Sequence, residues 1–101
     1  MTFDEYQKFT QTTAFYPKGA AVGYCALGLA GEAGEVANNV KKIIRDNQNK
    51  TAAIVDELGD VLWYIARLAD ELGVDLSEVV DFNVDKLERR TAERLGQGNL
   101  I

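Results

Sequence analysis

The sequence predicts an all-α fold built on an antiparallel helical hairpin, and three observations carry that prediction. Apolar residues recur at alternating steps of 4 and 3 through two long segments, the spacing that keeps one helix face apolar. No segment combines two-residue alternation with enrichment in β-branched residues, as strands require. Pro17 is the sole proline, and the joints between periodic segments are short and polar. A chain of 101 residues is one domain's worth, so residues 1–101 read as a single domain. Low-complexity tracts, linkers and convincing repeats are absent.

Segment one covers about Phe3 to Ala14. Thr2 and Glu5 have capping-box spacing, and Asp4 and Glu5 occupy the first turn, where the helix dipole favours acids. Phe3, Tyr6, Phe9 and Thr13 lie along one side. The segment should end before Pro17, which pushes its predecessor out of the helical region. Segment two covers about Ala20 to Arg45, with the stripe Val22, Ala26, Leu29, Ala33, Val36, Val40 and Ile43. Gly23, Gly28, Gly31 and Gly34 sit inside it, each costing about 1 kcal/mol relative to alanine. Such glycines point to close approach of something to the helix.

The joint Asp46–Lys50 is short enough to force an antiparallel hairpin. Segment three covers about Ala52 to Leu72, with Thr51 as the expected N-cap and Gly73 as the C-terminal stop. Its stripe is Ile54, Leu58, Val61, Ile65, Leu68 and Leu72. Segment four starts near Asp75 or Leu76, with Asp75 and Ser77 competing as the cap and Glu78 at the N3 spacing. It runs to about Leu95, and Gly96-Gln97-Gly98-Asn99 ends regular structure. Four helices of these lengths make a thin core, which oligomerisation through helix faces would thicken.

Composition narrows the function. Eleven basic and sixteen acidic residues give a net charge of −5, so nucleic acid is an unsuitable partner for want of a basic stripe. There is no histidine, so acid/base or metal chemistry must use carboxylates, lysine, tyrosine or the single Cys25. One cysteine makes neither an intrachain disulfide nor a multi-thiolate zinc site. Cys25 reads as a small core residue, with no base beside it to activate a thiolate. No apolar run is long enough to span a membrane, and the acidic N-terminus is unlike a signal peptide. The expectation is a cytoplasmic protein with no membrane partner.

The carboxylates are the chemical signal. Glu32 and Glu35 are i and i+3 on segment two, a quarter turn from its stripe and in line with Gly28, Gly31, Asn39 and Lys42. Glu57 and Asp60 are i and i+3 on segment three, likewise a quarter turn from the stripe and in line with Tyr64. A single such pair reads as a solvated helix face. Two pairs flanking one seam of a hairpin fall within about one or two turns of each other. Four ionised carboxylates so placed repel one another unless a cation joins them. Oxygen-only ligands select hard cations, Mg²⁺ first, with Mn²⁺ or Ca²⁺ as substitutes.

Two further features stand apart from the stripes. Trp63 lies nearly opposite the segment-three stripe, with Asp56, Gly59, Arg67 and Asp70, so its face needs a cover: a second subunit, a stacked base, or segment one or four. Asn83, Lys86 and Arg90 are i, i+3 and i+7 on segment four, an amide and two cations suited to phosphate oxygens.

The words Gly31-Glu32-Ala33-Gly34-Glu35-Val36 and Asp56-Glu57-Leu58-Gly59-Asp60-Val61-Leu62-Trp63-Tyr64 resemble the MazG-like nucleotide pyrophosphohydrolases of the all-α NTP pyrophosphatase superfamily. That family carries an E-x-x-E pair on one helix and an E-x-x-D pair on the next, here with 21 residues between Glu35 and Glu57. The Asn83, Lys86 and Arg90 pattern resembles the family's phosphate-contacting helix, and the glycine-containing tail resembles those of short phage and bacterial members. The resemblance spans about Leu27 to Arg90. It implies a four-helix MazG-like fold in an oligomeric bundle. The implied activity is hydrolysis of a ribo- or deoxynucleoside triphosphate between the α and β phosphates. Glu32, Glu35, Glu57 and Asp60 would hold Mg²⁺ and serve as the catalytic carboxylates. The bound ion would gather the phosphates and acidify the attacking water. Lys86 and Arg90, with Asn83 as helper, would bind the phosphates, and Trp63 would join the substrate site. It also implies a homodimer or homotetramer with a site completed across the interface. Some relatives carry an acid directly before the first pair; here that position is Gly31, so water activation falls to a ligand carboxylate or to the metal alone.

Two readings compete. Phosphoribosyl-ATP pyrophosphohydrolase shares the fold and size, but its acid motifs have different neighbours. A non-enzymatic helical oligomerisation module would leave the acids solvated and indifferent to Mg²⁺.

Overall fold

A computed structural model describes residues 1–96, and within them the structure is all-helical. The order is α1 (Phe3–Thr10), a 3-10 turn (Gln11–Thr13), a second 3-10 turn (Lys18–Ala20), α2 (Ala21–Asp46), α3 (Thr51–Glu71) and α4 (Leu76–Gly96). The tail from Gln97, to which the expected end of regular structure and the glycine-containing motif extend, lies outside the described residues.

Local chemistry sets the boundaries. The capping box at the start of α1 forms as expected: the Thr2 N–H donates to Glu5 Oε1 at 2.7 Å and the Glu5 N–H to Thr2 Oγ1 at 3.1 Å. The helix tightens into 3-10 geometry at Gln11, earlier than the predicted end at Ala14, and Ala14 is already extended. α2 ends where Asn47 takes a left-handed conformation, φ 52°. Thr51, expected as the N-cap of α3, is instead its first residue, and its N–H donates to Asn49 Oδ1 at 3.0 Å. α3 stops at Gly73, φ 75°, where the Gly73 N–H reaches Asp70 O and the Val74 N–H reaches Ala69 O. This paired closure satisfies the orphan carbonyls of the last turn.

α2 and α3 form the antiparallel hairpin and share the largest interface. Most of the buried apolar residues are small: Cys25 and Ala66 are fully buried, Ala21 and Ala69 nearly so, and the larger Leu76 joins them. Small side chains let the helices approach, and Cys25 is the core residue the sequence predicted. The predicted stripes are only partly covered within one chain. Leu29, Ile65, Leu68, Ala69 and Leu72 line a shallow open trough that α4 reaches through Val79.

α1 differs from the expectation. Phe3 and Phe9 remain half exposed, and the face turned inward carries Gln7 and Thr10. The reason is capping. Gln7 Nε2 donates to Val74 O at 2.9 Å, and its Oε1 accepts the Leu76 N–H at 2.8 Å. Asp4 accepts the Ser77 N–H at 2.9 Å and the Ser77 hydroxyl at 2.8 Å. Two side chains of α1 thereby satisfy the first-turn donors of α4, a role expected of Asp75 or Ser77. Of the local box only the return half forms, from the Asp75 N–H to Glu78 Oε1 at 3.4 Å.

Past this anchor α4 stands away from the hairpin, and residues 81–96 are all exposed. The Cα radius of gyration is 17.1 Å, against about 13 Å for a compact chain of this length.

Candidate metal and phosphate site

The hairpin register brings the acids together. Gly28 meets Tyr64 across the seam. A step of four along α2 leads to Glu32, and a step of four back along α3 leads to Asp60. Glu32, Glu57 and Asp60 each place a carboxylate oxygen within 4.8 Å of the others. Oxygens sharing one Mg²⁺ sit about 3–4 Å apart, given Mg–O distances near 2.1 Å. A rotamer adjustment therefore closes the group on a cation, and its all-oxygen donors suit a hard one.

Electrostatics point the same way. The Glu32 carboxyl is pushed up to about 7, first by sharing a proton with Glu57, then by burial, then by the charges of Asp60, Glu57 and Glu35. A carboxyl that keeps its proton near neutrality marks a site with more negative charge than it can hold unaided. Glu35 is one turn further along α2, exposed and outside the three-residue group, so three of the four predicted acids converge within the chain. Tyr6 of α1 also joins this neighbourhood: its hydroxyl pKa is raised by burial and then by Asp60. Sequence periodicity gave no sign of that proximity.

Behind the acids lies an aromatic cluster. Tyr16 stacks on Tyr24 with centroids 5.3 Å apart, and Trp63 meets Tyr16 and Tyr64 edge-on at 6.4 and 5.0 Å. The Trp63 Nε1–H donates to Thr13 Oγ1 at 2.8 Å. Of the covers considered for Trp63, the extension of segment one is the one present within the chain.

Arg67, on the same face of α3, is buried. Its guanidinium donates to Asp70 Oδ2 at 2.8 Å, the Tyr16 hydroxyl at 3.1 Å, and Thr10 Oγ1 and Glu71 Oε1 at 3.4 Å. Burial first, with bonding to Cys25 and Glu71, pushes the Tyr16 hydroxyl up to about 12, against the opposing pull of Arg67. Tyr16 therefore stays a neutral donor, to Glu71 Oε1 at 3.0 Å. The wheel placed Arg67 beside Trp63 but gave no signal for its network.

Asn83, Lys86 and Arg90 occupy the exposed stretch of α4. Lys86 and Arg90 share a surface cleft with Arg89 and Glu93. Among the described residues no ion pair joins them to the acids of the hairpin.

A helical hairpin with carboxylates converging at its seam is a scaffold for metal-assisted chemistry on anionic substrates. The chain belongs to the MazG nucleotide pyrophosphohydrolase domain family, which it matches over residues 24–95. It is also similar to the Gene 37 protein of Mycobacterium phage L5, 42% identical over 110 aligned positions that cover 98% of this chain and 96% of that protein. No solved structure matches it. No helix among the described residues is long and apolar enough to cross a membrane.

Proposed function

We propose that the chain is a Mg²⁺-dependent pyrophosphohydrolase that converts ribo- or deoxynucleoside triphosphates and water to nucleoside monophosphate and pyrophosphate. The observation that carries this reading is the convergence of Glu32, Glu57 and Asp60 on the α2/α3 seam, in a chain of this family. These three carboxylates hold Mg²⁺, or Mn²⁺ in its place, and Glu35 completes the set from the next turn. The bound ion supplies positive charge to the phosphate oxygens and acidifies water at the α–β bond. Glu32, which shares a proton with Glu57 in the metal-free chain, gives that proton up when it binds the ion.

Lys86 and Arg90 neutralise the departing pyrophosphate and Asn83 orients it. Because α4 stands off its own hairpin, these residues act in an assembled homodimer or homotetramer. The exposed apolar residues Phe82, Leu87 and Leu95, 69, 51 and 62% exposed, support that assembly. Trp63 contributes aromatic surface for the base. The protein acts in the cytoplasm as one domain over residues 1–101.

The test is a panel of nucleoside triphosphates, with phosphoribosyl-ATP included, read by pyrophosphate release with and without Mg²⁺. Turnover that requires Mg²⁺ and is abolished by Glu57→Gln is the expected result. No turnover of any substrate, with Mg²⁺ changing neither thermal stability nor nucleotide affinity, would favour the non-enzymatic module.

A further inference from the structure

Four glycines interrupt α2, and one of them is in contact. A Cβ added at Gly23, Gly31 or Gly34 meets nothing within 4 Å. A Cβ at Gly28 would overlap the Tyr64 ring, 2.7 Å from Cδ1 and closer still to Cε1 and Cζ. Ordinary carbon–carbon contact is about 3.5–4 Å. The ring therefore lies directly on the backbone of α2, and any side chain at position 28 must move ring and helix apart.

This contact sits one turn from the acids on both helices. Gly28 precedes Glu32 by four residues and Tyr64 follows Asp60 by four, so each stands on the same helix face as its acid. Tyr64 has little freedom to swing away, because Trp63 packs edge-on against it with centroids 5.0 Å apart. Trp63 is itself tied to Thr13 by its indole N–H. A stiff ring wedged on a bare backbone fixes the local separation of α2 and α3.

We infer that Gly28 and Tyr64 form a spacer that sets the width of the carboxylate cage, and hence its fit to a small divalent cation. The inference rests on the metal-site reading above. Gly28 and Tyr64 are positioning residues: they act through Glu32 and Asp60. Mg²⁺ demands near-octahedral oxygens at about 2.1 Å, whereas Ca²⁺ accepts about 2.3–2.6 Å in looser geometry. Widening the seam therefore penalises Mg²⁺ and Mn²⁺ more than Ca²⁺.

The experiment is calorimetric titration of the full-length protein with Mn²⁺, Mg²⁺ or Ca²⁺ alone, without nucleotide. Gly28→Ala should weaken Mn²⁺ and Mg²⁺ binding by about tenfold or more, the scale of losses on disturbing groups that orient ligands. Ca²⁺ binding should change less, so the ratio of Ca²⁺ to Mg²⁺ affinity rises. Tyr64→Ala, which removes the ring and leaves the seam without its spacer, should likewise weaken Mn²⁺ and Mg²⁺ binding more than Ca²⁺ binding. Gly23→Ala, on the same helix with open space around it, should bind as wild type. If Gly28→Ala fails to fold, Tyr64→Ala carries the test: weakened Mn²⁺ and Mg²⁺ binding supports the spacer, and wild-type-like binding overturns it. Unchanged metal binding by folded Gly28→Ala, or equal losses for all three ions, overturns it as well. Absence of binding by the wild-type protein strikes the metal site itself and takes the spacer with it, an outcome distinct from the others.

Discussion

Removing the Arg67 side chain should destabilise the fold without touching the acids. The side chain is 6% exposed and joins α3 to the end of α1 through Thr10 and to the segment after it through Tyr16. Its bonds to Asp70 at 2.8 Å and Tyr16 at 3.1 Å have good geometry, while those at 3.4 Å to Thr10 and Glu71 are marginal. Bonds to a charged group contribute about 1.5–3 kcal/mol each, and the partly exposed carboxylates recover hydration when Arg67 is lost, so the lower end applies. Two good bonds at that lower end, with the packed aliphatic stem, give about 3 kcal/mol or slightly more for Arg67→Ala. For a domain of this size that is a fall in Tm of about 10–20 °C. Circular dichroism melts in chelator, at one protein concentration, separate this effect from metal binding and assembly. Arg67→Lys keeps the charge but not the planar fork, and should recover less than half of the loss. A melt of Arg67→Ala within about 2 °C of wild type, less than 1 kcal/mol on the same scale, would refute the reasoning.

Two further outcomes follow from the same geometry. Glu32 binds its proton more tightly in the folded state, holding it up to about 7 against an ordinary 4.5, so its contribution to stability is whole below 4.5 and is lost as pH rises through 7. Metal-free protein should lose Tm across that window and saturating Mg²⁺ should suppress the loss; Mg²⁺ binding near pH 6.5 should release a proton, measurable by calorimetry in buffers of different ionisation heat, and a flat profile would contradict the charge-crowding account. Gln7→Ala removes the acceptor for the Leu76 N–H and the donor to Val74 O, and should cost about 1–2 kcal/mol in urea denaturation. It should also speed hydrogen exchange at the first turn of α4, and protection equal to wild type would show that α1 does not cap α4.

Much of this was legible in the sequence because it depends on neighbours along the chain. The Thr2–Glu5 box, the stop at Gly73 and the hairpin between α2 and α3 are local, and each formed. Burial of Cys25 followed from its apolar surroundings. The acid pairs were placed on one seam by the wheel, yet residues at i and i+3 differ by about 60° around the axis. That difference turns Glu32 into the group and leaves Glu35 exposed. What the sequence hid are polar contacts between distant residues. Gln7 finds Val74 and Leu76, and Arg67 finds Tyr16, with no periodicity to announce either pairing. The small residues Ala66 and Ala69 displaced Ile65 and Leu68 from the centre of the core, because close helix approach rewards small volume over hydrophobicity.

These hidden contacts divide the labour of the fold. Directional bonds from Asp4, Gln7 and Arg67 fix where α1 and α4 sit relative to the hairpin, but each contributes only about 1–2 kcal/mol net. Burial of apolar area is the larger source of stability, at about 25 cal/mol per Å², and much of this chain's apolar surface lies uncovered on α4 and along the trough. In the proposed assembly, that surface is covered by a second copy, and the same event brings Lys86 and Arg90 to a carboxylate cage. Stability and catalytic competence then rest on one association step. Specific activity should therefore fall on dilution in parallel with Tm, whereas a self-sufficient monomer would keep both.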